Sequence, residues 1–91
     1  MLYKVILTAS ACKDLVTLSK KAPLAVKKVG KLLDELKEHP RTGTGQVERL
    51  KHFSTEEIWS RGITKEHRLV YKISDDVVEV LVLSAFGHYE N

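Results

Sequence analysis

Hydrophobic positions change their spacing halfway along the chain. Leu2 to Thr8 is apolar and β-branched, which predicts an opening strand. Thr8 or Ser10 can then cap a helix carrying Leu15, Val16 and Leu18 and ending near Lys20-Lys21. Pro23 suits the first turn of a second helix, in which Ala25, Val29, Leu32 and Leu36 recur at helical spacing. Val26 and Leu33 widen that stripe, while Lys27, Lys28, Lys31, Asp34, Glu35 and Lys37 face water. Pro40 stops the helix, and 41–45 is a Gly-containing loop. Beyond it the period becomes that of strands. Glu48 to His52 reads as a short extended segment, and Ile58 to Thr64, His67 to Ile73 and Val77 to Ala85 read as strands. The run from Val77 to Leu83 has the look of a central strand buried on both faces. Tight turns between the last three imply antiparallel neighbours.

The order is therefore β-α-α-β-β-β-β. It predicts a single α+β domain over residues 1–91. The N-terminal strand and a helical hairpin pack in two layers on a mainly antiparallel, twisted sheet of four to five strands. Ninety-one residues allow one thin core and no large enclosed cavity. One cysteine, Cys12, excludes an internal disulfide and is read as a packing residue. No apolar run approaches the ~20 residues of a membrane span, and the N-terminus lacks a signal-peptide pattern. A soluble cytoplasmic protein is expected.

Charge changes the picture through its location. Fifteen Lys and Arg stand against twelve Asp and Glu, a net +3 that is compatible with a nucleic-acid partner without requiring one. Lys20, Lys21, Lys27, Lys28 and Lys31 crowd one stretch, whereas Asp75, Asp76 and Glu79 sit near the other end. The plain alternative is a solvated helix face.

Three features can carry chemistry. Glu48 and Lys51 follow the Gly-containing loop, where scaffolds commonly present function. Arg61 and Arg68 fall in a hairpin; a two-residue turn at Lys65-Glu66 would put Ile63 opposite Arg68 and Arg61 opposite Val70, with both arginines on one face. His88-Tyr89 follows the last strand. A Glu, an Arg, a Lys and a His are the set that metal-free RNA cleavage needs. A base removes the ribose 2′-hydroxyl proton, cations stabilise the phosphorane, and an imidazolium protonates the leaving 5′-oxygen. No paired-His or paired-Cys spacing offers a metal site, no cofactor is implied, and neither a P-loop nor a nucleophile elbow is present.

The run Glu48-Arg49-Leu50-Lys51-His52, then Ile58-Trp59-Ser60-Arg61, then Ile63-Thr64-Lys65-Glu66-His67-Arg68-Leu69-Val70-Tyr71, with His88-Tyr89 downstream, resembles the YoeB (Txe/YoeB) toxins of the RelE/ParE superfamily. The resemblance spans residues 43–89, and the strand-helix-helix order of the first half agrees with it. It implies a RelE-like fold and a ribosome-dependent endoribonuclease that cleaves mRNA in the A site of the small ribosomal subunit and so blocks translation. Glu48 then matches the general base, Arg68 the phosphate-stabilising arginine and His88 the general acid. Tyr89 matches the tyrosine that helps hold the mRNA, and Lys51 and His52 match basic positions bordering the scissile phosphate. Arg61 is expected as a substrate contact or a structural cation on the site face. Lys20, Lys27, Lys28 and Lys31 gain a reading as contacts to ribosomal RNA phosphates.

The implied partner is an acidic YefM-like antitoxin, with operator DNA reached only through the antitoxin complex; a homodimer is compatible with the family. Two departures stand out: Gly62 occupies the position of a second Arg in the family string, leaving one backbone contact fewer, and Glu90-Asn91 extend beyond the family's His-Tyr. Competing readings are a non-catalytic ParE-like gyrase poison, a plain RNA-binding regulator, or a toxin inactivated at Gly62. His67 and His39 are expected to be structural, and Trp59, Tyr71 and Phe86 to pack.

Overall fold

The computed structural model describes residues 2–51 and 55–87. Its elements are β1 (Lys4–Leu7), α1 (Ala9–Lys21), α2 (Ala25–Leu36), β2 (Glu48–Arg49), β3 (Ile58–Gly62), β4 (Arg68–Ser74) and β5 (Glu79–Ser84). They form one five-stranded sheet in the order β1-β5-β4-β3-β2. β1 runs parallel to β5, and every other pairing is antiparallel. The α+β, helical-hairpin-on-sheet arrangement is the one expected.

Each helix starts and stops for local reasons. Thr8 caps α1, its hydroxyl accepting the Ala11 N–H at 3.1 Å, which satisfies one of the donors a helix start leaves open. The helix ends at Ala22, whose N–H still reaches the Leu18 carbonyl. In α2, Ala25, Val29, Leu32 and Leu36 are buried as their spacing predicts. They pack on Leu69, Tyr71, Ile73, Val80 and Val82 of the sheet. Burying a leucine such as Leu32 contributes roughly 1.5–3 kcal/mol, so this seam fixes the hairpin to one sheet face.

Among the described residues the other sheet face carries no helix. A small second cluster of Leu50, Ile58 and Val70, with Leu83 against it, lies there. The pairings Ser60↔Val70 and Tyr71↔Val82 fix which residues point which way. Tyr71 and Val82 belong to the helix-side core; Ser60 and Val70 face the opposite side.

Three expectations are corrected. Val77 and Val78 are outside β5: Val77 is exposed, and Val78 adopts a φ of 54° in the turn after Asp75-Asp76. Their apolar character mimicked a longer strand. β5 is an interior strand, but only its Val80 and Val82 side is fully buried. Cys12 is exposed on α1 rather than packed.

Candidate active site

The β3–β4 connection decides which residues meet. Instead of a two-residue turn at Lys65-Glu66, the ladder closes at Gly62↔Arg68 and leaves 63–67 as the loop. Thr64 explains the wider loop: its hydroxyl accepts the N–H groups of Glu66 and His67, both at 3.1 Å. The register is therefore one residue from that expected, and a one-residue slip turns a side chain to the other face. Arg61 pairs with Leu69 on the helix side, while Arg68 shares the open face with Gly62 and Ser60. Placing Arg61 on the site face, as a substrate contact or as a structural cation there, is thus overturned.

Arg61 is instead the most deeply held cation of the described residues, with no exposed surface. Its guanidinium donates to the Tyr71 hydroxyl (3.0 Å), Glu35 Oε1 (3.0 Å), the His39 carbonyl (2.7 Å) and the Thr42 carbonyl (2.9 Å). The Tyr71 hydroxyl donates in turn to the Pro40 carbonyl at 2.7 Å; burial pushes this phenol up from its ordinary value. Glu35 in turn accepts from Thr44 through both N–H (2.8 Å) and hydroxyl (2.7 Å). These bonds, with Arg61 and Lys31 nearby, hold its carboxyl below the usual carboxylate range despite partial burial. The network pins the loop over 39–44, and two glycines make the close approach feasible. A Cβ on Gly43 would collide with Glu35 Oε1, and one on Gly45 would lie 2.7 Å from the Gly62 carbonyl.

The pinned loop is one wall of the open-face site. The Gly45 carbonyl accepts the Gly62 N–H at 2.5 Å. Gln46, at a φ of 51°, turns its carbonyl to Arg68 Nη2 at 2.8 Å. Arg68 Nε donates to the Ser60 hydroxyl at 3.0 Å. Glu48 lies opposite Ser60 in the ladder, so its side chain shares this face. Its Oε1 stands 3.9 Å from Arg68 Nη2, and the carboxylate is about half exposed. The guanidinium is held by Ser60, Gln46 and Glu48. Its Nη1 atom makes no hydrogen bond among the described residues and points past Gly62. A half-exposed carboxylate can take a proton from a hydroxyl, while the fixed guanidinium beside it stabilises negative charge on the adjacent group.

The backbone after β5 comes to this place at Gly87. The Gly87 carbonyl accepts the Arg68 N–H at 2.9 Å, and the Gly87 N–H reaches His67 Nδ1 at 2.9 Å. His67 also stacks on Phe86, with centroids 4.2 Å apart, a structural role as expected. His52, His88 and Tyr89 lie outside the described residues, so the base–acid pairing of Glu48 with His88 has only its Glu48 half in view. Lys51 is exposed just beyond β2. The basic residues do not form one patch. Lys28 borders the space beside Gly62 and Arg68, Lys27 and Lys31 line a groove between α2 and β1, and Lys20 is exposed on α1.

A second cluster anchors the far end of the β2–β3 connection. Arg41 holds Glu57 through two hydrogen bonds (2.6 and 2.9 Å) and Asp75 at 2.7 Å. Arg41 and Trp59 keep the Glu57 carboxyl low, and Tyr3 and Arg41 do the same for Asp75. Glu35, Gln46 and Arg41 had no marker in the sequence, and Ser60 was marked only as part of the family string. Only Thr64, as a turn-forming residue before Lys65-Glu66, could have signalled the true register.

The fold is that of the RelE/ParE type of toxin. The structure of a YoeB/ParE toxin from Agrobacterium tumefaciens superposes with a TM-score of 0.82 at 32% identity, covering 94% of this chain and 99% of that one. The toxin of a heterotetrameric YoeB-YefM complex from Staphylococcus aureus does so at 0.74 and 27% identity, over 98% and 100% of the two chains. Toxin YoeB of Escherichia coli K12 is 42% identical over 64 residues, 70% of this chain and 73% of its own. Residues 7–89 match the model of the YoeB-like toxins of bacterial type II toxin-antitoxin systems, and the chain belongs to that family.

Proposed function

We propose that this toxin is a metal-independent endoribonuclease that cuts mRNA in the ribosomal A site and thereby stops translation in the cytoplasm. The observation that carries the reading is the Glu48–Arg68 arrangement on the helix-free sheet face, with Gly87 bonded to the Arg68 backbone. Glu48 accepts the 2′-hydroxyl proton. The attacking oxygen forms a bond to phosphorus, Arg68 and Lys51 stabilise the added negative charge, and the P–O5′ bond breaks as His88 protonates the leaving oxygen. The products are a 2′,3′-cyclic phosphate and a 5′-hydroxyl. His88 follows Gly87 directly in the sequence, and the Gly87 carbonyl is bonded to the Arg68 N–H, which supports this role. His52 and Tyr89 border the strand, and Lys20, Lys27 and Lys31 meet ribosomal RNA phosphates.

The partner that silences it is a YefM-type antitoxin, a reading supported by the family and by the YoeB-YefM assembly of a neighbouring structure. Primer extension on translating ribosomes tests the activity. New mRNA ends at A-site codons should form with wild type. They should be lost by about 10²-fold or more with Glu48→Gln and with His88→Ala, and be absent when the target ribose is 2′-deoxy. Blocked translation with intact mRNA would replace the ribonuclease with a non-catalytic inhibitor, as in the gyrase-poison or RNA-binding readings.

A further inference from the structure

Beside Arg68 and Gly62, whose Cα side faces Arg68 Nη1, the structure holds an open cavity of about 480 Å³. Its floor exists because two backbones meet there without side chains: Gly62 N–H bonds the Gly45 carbonyl, and a Cβ at Gly62 would stand 3.5 Å from Arg68 Nη1. Gln46 and Thr64 add to the wall, and the charged groups that line it among the described residues are cations: Arg68, Lys28 of α2 and Lys65 of the β3–β4 loop. Among the described residues no carboxylate lines it; Glu48 approaches Arg68 at Nη2. Cations of three separate elements converging on a space of this size suit an anion carried on a chain, not an apolar ligand.

The positions of the two nitrogens give the chain a direction. A base at Glu48 works on the ribose that precedes the scissile phosphate, and in-line departure sends the following nucleotide to the opposite side. That side is the Nη1 edge and the cavity. We propose that the cavity between Gly62 and Lys28 is a subsite for the backbone phosphate immediately 3′ of the cut, held by Lys28 and Lys65. The proposal rests on the ribonuclease reading above and deepens it. It separates Lys28 from Lys27 and Lys31, which line a different groove. It also assigns to two lysines the backbone contact that the family string places on an arginine at position 62. Since phosphates carry no base identity, the subsite strengthens every cut alike and leaves codon choice untouched.

The test is single-turnover cleavage of ribosome-bound mRNA at several salt concentrations, with each variant's fold checked by circular dichroism. Lys28→Gln should lower the rate at subsaturating toxin by about tenfold and make the salt dependence shallower by about one unit of slope. Lys28→Arg should stay within a few-fold of wild type. An mRNA carrying a neutral methylphosphonate at the phosphate 3′ of the cut should slow wild type by a similar factor, with no further loss on adding Lys28→Gln. Full additivity of the two changes, or a Lys28→Gln effect that vanishes only with the methylphosphonate 5′ of the cut, overturns the subsite. Wild-type cleavage that Lys28→Gln leaves unchanged also overturns it while sparing the ribonuclease reading. Wild type that never cuts the mRNA removes both.

Discussion

Arg61 and Arg68 stand in adjacent strands and in the same short string, yet the sheet puts them to opposite uses. Arg61 points into the helix layer, has no exposed surface and donates to four oxygens of three types: a carboxylate, a phenol and two carbonyls. Arg68 points to the helix-free face, keeps a sliver of exposure and leaves Nη1 without a hydrogen bond among the described residues. A buried cation is tolerated only when paired and fully hydrogen-bonded, and Arg61 meets that condition through loop atoms. Its result is mechanical: the loop it holds supplies Gly45 and Gln46, which position Gly62 and Arg68. Arg68 keeps hydrogen-bonding capacity in reserve, as a group must if it is to meet a charge that develops during reaction. One arginine builds the wall, and the other works beside it.

The largest expected effect breaks the first half of that comparison. Arg61→Met should cost about 3–5 kcal/mol of folding stability, because it strands the Glu35 carboxylate and two loop carbonyls next to the core. For a domain of this size that is a large share of the whole. Urea unfolding measures it, and a loss below about 1 kcal/mol would show that the loop holds itself. Arg68→Gln should do the reverse. Cleavage on ribosomes should fall by about 10²–10³-fold, while urea stability drops by only about 1 kcal/mol. If Arg68→Gln destabilised the fold as much as Arg61→Met, Arg68 would be a second structural pin.

The sequence carried the fold well because the fold depends on repeated signals. Ala25, Val29, Leu32 and Leu36 mark the buried side of α2 with no competing pattern, and Thr8 marks the start of α1. It carried the site less evenly. Glu48 and Arg68 could be named from type and resemblance, but their shared face follows from the Glu48↔Ser60 and Gly62↔Arg68 pairings. Those depend on the loop chosen between β3 and β4. Lys65-Glu66 between two apolar runs suggests a two-residue turn, whereas the Thr64 hydroxyl bonds create a longer one. That single residue of register moved Arg61 across the sheet. The loop pin was hidden for a different reason: Glu35 sits on the polar side of an amphipathic helix, where periodicity assigns it to water. Its partners, Thr44 and Arg61, are distant in sequence, and no local pattern announces a long-range hydrogen bond.

Acid offers a finer measurement of the same pin. The Glu35 carboxyl is held below its ordinary value first by the two Thr44 hydrogen bonds and then by the charges of Arg61 and Lys31. Glu57 is lowered chiefly by Arg41. A carboxyl depressed in the folded state contributes stability at pH values above its unfolded pKa, near ~4.3 for Glu, and loses that contribution as pH falls through the folded value. The toxin should therefore hold its urea midpoint from neutrality to about pH 5 and lose stability progressively below about pH 4. Glu35→Gln should be weaker than wild type at pH 7, because a neutral amide gives Arg61 a poorer partner. It should also descend less steeply into acid, since the proton that Glu35 takes up on unfolding in that range is no longer taken up. The two stability curves should converge as the pH falls towards 3. Parallel curves would mean that Glu35 titrates alike in folded and unfolded chains, and that the Arg61 wall stands on its carbonyl and phenol partners alone.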